Sequence, residues 1–213
     1  EALIDERTMK KKTMIVLISD FLLLSAFSCG GGNKANSTSE QSEETAVNVP
    51  QFDADSAYLY VKNQVDFGPR VPNTKEHVAC GNYLAGQLEA FGAQVTNQYA
   101  DLIAYDGTLL KARNIIGSYK PESKKRIALF AHWDTRPWAD NDPDEKNHNT
   151  PILGANDGAS GVGALLEIAR LVNQQQPELG IDIILLDAED YGAPQFYTGQ
   201  HKEEFWCLGS QYW

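Results

Sequence analysis

Apolar residues spaced at close to 3.6 positions predict three helices in this chain. We expect these helices over Asp53 to Val65, Lys75 to Phe91 and Ala159 to Val172. In the last of them one stripe collects the apolar side chains, namely Val162, Leu165, Leu166, Ala169 and Val172. Gly92, directly after Phe91, is a residue type typical of a helix C-terminus.

Runs of apolar and β-branched residues predict four strands. We expect them over Gln94 to Leu102, Lys111 to Tyr119, Arg126 to Ala131 and Ile181 to Leu186. Asp106-Gly107 lies between the first two and favours a hairpin. Helices, then a hairpin, then strand–helix–strand predict an α/β fold with a mixed β-sheet sandwiched between helices.

Acidic residues and a histidine follow the last two predicted strands. His132-Trp133-Asp134 comes after one strand, and Asp187-Ala188-Glu189-Asp190 comes after the other. Asp157 directly precedes the last helix. Ligands collect at the carboxyl ends of strands in such sheets, and carboxylates with imidazole suit zinc. The leading hypothesis is therefore a catalytic zinc site.

Each of these motifs also has a purely structural interpretation. His132 and Asp134 together are compatible with a stabilised turn, and Asp157 is a residue type that caps helix N-termini. The acidic run is compatible with a solvated loop, although three adjacent acids repel each other unless a cation or protons neutralise them. Glu189 and Asp190 are neighbours that point differently, so one can bind metal while the other transfers protons.

Composition excludes some classes of function. The 213 residues suffice for one α/β domain with a sizeable core, and the net charge of -11 argues against a nucleic-acid-binding protein. Cys80 and Cys207 would form a disulfide only if their Cα atoms approach closely, and two free thiols are the alternative.

The N-terminal region predicts export. Three lysines precede a largely apolar stretch from Met14 to Phe27, and Ser28-Cys29-Gly30 then resembles a bacterial lipoprotein site with Cys29 lipidated. A plain cleaved signal peptide is the alternative. We therefore expect a signal segment over 1–29, a disordered linker over 30–50 and the catalytic domain over 51–213. In a Gram-negative cell the protein would be periplasmic or attached to the outer membrane through its lipid alone.

Three motifs in order resemble the zinc aminopeptidase superfamily and, within it, the bacterial glutaminyl-peptide cyclotransferases (glutaminyl cyclases). They span Ala131 to Asp140, Gly154 to Gly161 and Leu186 to Gly192. The resemblance implies that Asp157 and Asp190 bind one zinc ion and that Glu189 is the general acid/base. His132 matches a ligand of the second zinc in the aminopeptidases. The resemblance also implies a substrate pocket near Trp133, Asp134, Arg136 and Trp138.

The implied reaction cyclises the N-terminal glutamine of a peptide or protein to pyroglutamate and releases ammonia. A zinc aminopeptidase, which activates water, and a lipoprotein that only binds its ligand are the alternatives. The family places its third zinc ligand, a histidine, well beyond the acidic run, where this chain has only His201. We therefore expect an N-terminal piece of the enzyme that lacks its C-terminal part and is inactive alone.

Overall fold

The helices and strands of the protein, seen in a computed structural model, follow the periodicities of its sequence. The structure describes residues 48–213. The helices are α1 (Ala54–Asp66), α2 (Lys75–Ala90), α3 (Ala159–Gln174) and the short α4 (Leu208–Tyr212). The strands are β1 (Gln94–Ile103), β2 (Leu109–Tyr119), β3 (Arg126–His132) and β4 (Gly180–Leu186). All seven predicted elements are confirmed, with ends that differ by at most two residues.

The four strands form one mixed sheet in the order β1-β2-β4-β3. Strand β2 is antiparallel to both β1 and β4, whereas β3 runs parallel to β4. The hairpin between β1 and β2 turns at Gly107, whose φ of 85° favours glycine. The register of the parallel pair sets His132 opposite Leu186, so β3 and β4 end side by side.

Helices α2 and α3 pack on one face of the sheet, and the short α4 covers part of the other face. On one face, Leu84 and Leu88 of α2 and Leu166 of α3 pack with Ile115 and Ile183 of the strands, and all five side chains are buried. Complete burial of one such side chain stabilises the fold by roughly 1.5–3 kcal/mol. On the other face, Leu208 of α4 packs with Leu110 and Ala112. The prediction of a mixed sheet between helices is confirmed.

The predicted signal segment and Cys29 lie outside the described residues, as does most of the predicted linker. Among residues 48–213, no helix has the length and apolar content needed to cross a bilayer. Cys80 and Cys207 are both free thiols, Cys80 in the core beside α3 and Cys207 at the start of α4.

Candidate metal and catalytic site at the strand ends

The candidate site forms where the parallel strands β3 and β4 end together. The Trp133 amide donates to the Leu186 carbonyl at 3.0 Å, so the two segments stay in register one residue beyond the end of β3. The residues after 132 and after 186 therefore leave the sheet at the same edge. This is the edge at which the sequence predicts a metal site.

His132 lies at the centre of the site. Its Nε2 is 2.9 Å from Oδ1 of Asp157, and its Nδ1 is 3.4 Å from Oδ1 of Asp134. Oε2 of Glu189 lies 3.9 Å from the same Nδ1. Burial lowers the pKa of His132, but Asp134, Glu189 and Asp157 outweigh it and raise that pKa to about 9. The three motifs that are far apart in the sequence are thus brought to one imidazole.

Asp157 does not cap helix α3. The N-cap residue is Gly158, and no side chain accepts a hydrogen bond from the first turn. Gly158 has a φ of 94°, and this turn leaves the Asp157 carboxylate 63% exposed and directed at His132. The capping interpretation of Asp157 is wrong, because its carboxylate contacts His132 and not the amides of the first turn of α3.

Asp190 is a buried carboxylate with one free oxygen. Its side chain is 8% exposed, and its Oδ2 has no hydrogen-bond partner among the described residues. Burial raises the pKa of Asp190, the nearby Asp134, Asp157 and Glu189 raise it further, and it reaches about 7. An excess of carboxylates around an unpartnered buried oxygen favours a cation.

The donor set suits zinc, because Zn²⁺ binds carboxylate oxygens and imidazole nitrogens. Within residues 48–213, however, no three His, Cys, Asp or Glu side chains are arranged as a complete metal site. Asp157 and Asp190 are carboxylates of the type that zinc binds, but these two residues alone do not make a complete zinc site.

Asp187, the first acid of the run, faces away from this cluster. It is fully buried and accepts from Nε2 of His77 on α2 at 2.8 Å and from the Arg113 amide at 2.6 Å. Burial raises the pKa of Asp187, and the hydrogen bond from His77 opposes this rise. Ala188 has a φ of 50°, and the chain turns there from the core to the site. No short-range pattern points to His77, because its partner lies 110 positions away.

Asp134 is a buried support for the acidic loop. Its two carboxylate oxygens accept the backbone amides of Glu189 and Asp190, each at 3.1 Å. Its neighbour Trp133 is also fully buried, stacks on His77 with ring centroids 4.3 Å apart, and donates from Nε1 to the Arg113 carbonyl. Both side chains are buried in this structure, and their place near a substrate pocket stays a prediction. Both follow β3 directly and are covered by the loops that meet there.

Arg136 is likewise buried, with a side chain that is 9% exposed. Trp138 is half-buried and contacts Tyr105 and Tyr191 edge to face, with ring centroids 5.7 and 5.2 Å away. Of the four predicted pocket residues, only Trp138 is not buried.

Glu189 is held in place by the loop before α4. Its side chain is 33% exposed, and its Oε1 accepts a hydrogen bond from the Cys207 thiol at 3.2 Å. The Cys207 amide also donates to the Glu189 carbonyl at 2.9 Å. Burial, together with Glu189, raises the pKa of Cys207 to about 11, so the thiol remains a donor at neutral pH. Sequence reasoning missed this contact, because nothing in the pattern links the two positions.

The two other histidines of the C-terminal half lie away from the cluster. His148 Nε2 contacts the Asp142 carbonyl and His201 Nε2 contacts the Tyr197 carbonyl. His201 is exposed and His148 is half-buried.

Comparison with known proteins shows which family model and which solved structures this chain is similar to. The profile of peptidase family M28 matches residues 114–213. A crystal structure of a glutaminyl cyclase from Bacteroides thetaiotaomicron, bound to N-acetylhistamine, is 94% identical with a TM-score of 0.78, and the match covers 78% of this chain and 57% of that one. A glutaminyl cyclase from Tannerella forsythia is 58% identical with a TM-score of 0.76, covering 77% and 56%.

A structure named as a leucine aminopeptidase precursor from Bacteroides thetaiotaomicron is equally similar. It is 95% identical with a TM-score of 0.78, and the match covers 78% of this chain and 58% of that one. The chain therefore spans a little over half the length of each of these three structures.

Proposed function

We propose that this chain, a member of the zinc aminopeptidase superfamily that carries the peptidase family M28 domain, is a glutaminyl-peptide cyclotransferase. It would convert the N-terminal glutamine of peptides and proteins to pyroglutamate and release ammonia. The observation that carries the proposal is the convergence of His132, Asp157, Glu189 and Asp190 at one sheet edge. Its 94% identity to a glutaminyl cyclase supports this activity over others of the superfamily.

Asp157 and Asp190 would hold one zinc ion per chain. Asp157 is exposed and points at the cluster, and Asp190 has a buried oxygen without a partner. In the family a histidine completes the ligand set. The ion, when bound, would supply Lewis-acid polarisation of the amide that reacts.

Glu189 would move the proton. The α-amine of the glutamine forms a bond to the carbonyl carbon of its own side-chain amide, and the bond from that carbon to the amide nitrogen breaks. Glu189 would take a proton from the attacking amine and deliver it to the departing nitrogen, which leaves as ammonia. The contact with Cys207 fixes Oε1 of Glu189, while a third of the side chain stays open to a substrate.

A zinc aminopeptidase is the second candidate. The same scaffold hydrolyses peptides when two metals activate water, and His132 lies beside Asp157 where a second metal would bind. The name of one similar structure agrees with this activity. A third candidate is a lipoprotein that keeps the fold without catalysis.

One assay separates these candidates. The complete gene product is given a peptide with N-terminal glutamine and, separately, an aminoacyl amide, while zinc per chain is measured by atomic absorption. We expect ammonia and a pyroglutamyl peptide, with one zinc. Hydrolysis of the aminoacyl amide by a protein with two zinc ions would favour the aminopeptidase. The absence of both products would favour the binding protein.

The Glu189→Gln variant tests the catalytic assignment. Glutamine keeps the shape but cannot accept the proton, so kcat should fall by about 10²–10⁴-fold while zinc content is unchanged. Glu145→Gln, at an exposed position in the loop before α3, is the matched control. Full activity of Glu189→Gln would contradict the assignment.

We also propose that the protein is exported and anchored through lipid on Cys29. Ser28-Cys29-Gly30 after an apolar stretch supports this. Labelled palmitate should enter the wild-type protein and not the Cys29→Ser variant, which should leave the membrane fraction. Equal labelling of both would contradict lipidation at this residue.

A further inference from the structure

Arg136 makes contacts that a substrate-binding arginine would not make. Its Nε and Nη2 donate to the two carboxylate oxygens of Asp140, at 2.7 and 2.5 Å. Its Nη1 donates to the carbonyl of Asp190 at 3.2 Å and lies 3.4 Å from Oδ1 of the same residue. The guanidinium is therefore engaged by protein on every edge and has no donor left for a ligand.

We propose that Arg136 is a positioning residue for the candidate zinc ligand Asp190, with Asp140 as its anchor. This inference rests on the proposed function, because it concerns the same metal site. By holding Oδ1 and the main-chain carbonyl of Asp190, Arg136 leaves Oδ2 as the free oxygen of that carboxylate.

Two aromatic rings also hold the guanidinium group of Arg136 in place. The central carbon of Arg136 lies 4.8 Å from the ring centroid of Trp206 and 5.6 Å from that of Trp138. Two aromatic faces restrict the guanidinium plane, and attraction between the cation and the rings stabilises it. A planar fork held in this way can set the direction of a carboxylate, which a mobile ammonium group cannot do.

Asp140 connects Arg136 to the loop of residues 190–195. Its Oδ2 accepts the amide of Gln195 at 2.8 Å while it also binds Arg136. Arg136 in turn lies 3.4 Å from the carbonyl of Gly192. Loop residues 190–195 are thus attached to residues 136–140 at several points. Asp134 holds the amide of Asp190 at 3.1 Å, so the ligand is fixed through its amide, its carbonyl and one carboxylate oxygen.

A purely structural role for Arg136 predicts different behaviour. If Arg136 only holds two loops together, its replacement should lower the thermal stability and leave the zinc affinity unchanged. If it positions Asp190, its replacement should weaken zinc binding, because partners that orient a metal ligand typically change metal affinity by about 10–100-fold.

The test compares Arg136→Lys with Arg126→Lys in the complete gene product. Both replacements keep the positive charge and remove a fork that binds an aspartate, but the Arg126 pair with Asp182 lies at the opposite end of β3 and β4. The readouts are the zinc dissociation constant, from competition with a chromophoric chelator, and the visible absorption spectrum of the cobalt(II) form.

We expect Arg136→Lys to raise the zinc dissociation constant by about 10–100-fold and to change the cobalt spectrum, whereas Arg126→Lys should change neither. An unchanged constant and spectrum in Arg136→Lys would overturn the inference while leaving the proposed function intact. Absence of zinc binding by the wild-type protein would overturn both.

Asp140→Asn provides a second route if Arg136→Lys fails to fold. It removes the anchor and keeps the arginine, so zinc binding should weaken here too. If Arg136→Lys does fold, the double variant should bind zinc no worse than the single variant with the lower zinc affinity, because both residues act through Asp190. Losses of zinc affinity that add up in the double variant would contradict a common action of the two residues through Asp190.

Discussion

Neighbouring acidic residues have different roles because the backbone sends their side chains in different directions. Asp187 pairs with His77 in the core, Glu189 contacts the Cys207 thiol, and Asp190 keeps a free oxygen beside Arg136. The turn at Ala188, with its positive φ, separates the first from the other two. A run of like charges therefore need not be one cluster.

At the scale of a residue, Gly158 should tolerate no side chain. A Cβ at this position would lie 2.6 Å from the Asp134 carbonyl oxygen, and the φ of 94° disfavours any L residue. Gly158→Ala should lower the free energy of unfolding by roughly 1–3 kcal/mol from the backbone alone, and it should displace Asp157. Urea unfolding followed by circular dichroism measures the loss.

Gly86 is the matched control for that variant. It lies exposed within α2, and a Cβ there would meet no atom within 4 Å. Gly86→Ala should stabilise the protein by about 0.4–1 kcal/mol, because alanine restricts the unfolded chain. Equal effects of the two substitutions would show that the strain at Gly158 is unimportant.

At the scale of elements, Asp182 joins three neighbouring strands near the start of β4. It accepts hydrogen bonds from Arg126 on β3, at 2.6 and 2.7 Å, and from Ser118 on β2 at 2.5 Å. The hydrogen bond with Arg126 is the main reason that the pKa of Asp182 is lowered from 3.8. The strands that carry the site are thus held together at the end opposite to it.

This pKa predicts how the stability of the sheet depends on pH. An aspartate whose pKa is lower in the folded protein contributes stability above its unfolded pKa and loses it as pH falls through the folded value. Asp182→Asn should therefore lower the urea midpoint at pH 7, and the difference from wild type should shrink below about pH 3.8. A difference that is constant with pH would contradict an ionic contribution.

At the scale of the whole molecule, one buried pair links a helix to the sheet beneath the site. His77 belongs to α2, Asp187 follows β4, and the pair also holds the amide of Arg113 on β2. Trp133, stacked on His77, connects the same pair to the end of β3. The layers of the domain therefore meet at a polar contact directly under residues 188–190.

Loss of His77 should destabilise the molecule strongly. His77→Leu leaves Asp187 buried without its partner, and breaking a buried pair in this way typically costs about 3–5 kcal/mol. Lys111→Leu is the comparison, because its pair with Asp101 is exposed on the hairpin and should have little effect on the midpoint. Similar losses in both variants would contradict a special role for the buried pair.

Much of the fold was predictable because it depends on local periodicity. The elements α1, α2, β1 to β3, α3 and β4 all follow from the spacing of apolar residues, and the hairpin follows from Asp106-Gly107. The residues that lie at the candidate metal site were also predictable, because they follow strands whose carboxyl ends lie at one edge of the sheet. The burial of Trp133 and Asp134 was not predictable, since it depends on loops from elsewhere in the chain.

By itself the sequence determined the elements, their order and the chemistry available at the strand ends, because these depend on residue types and short spacings. Only the tertiary structure decided which acid faces the site, that Gly158 rather than Asp157 is the N-cap residue of α3, and that Arg136 holds Asp190. The physical reason is that each of these outcomes depends on backbone angles and on partners tens of positions away, where no short-range pattern carries information.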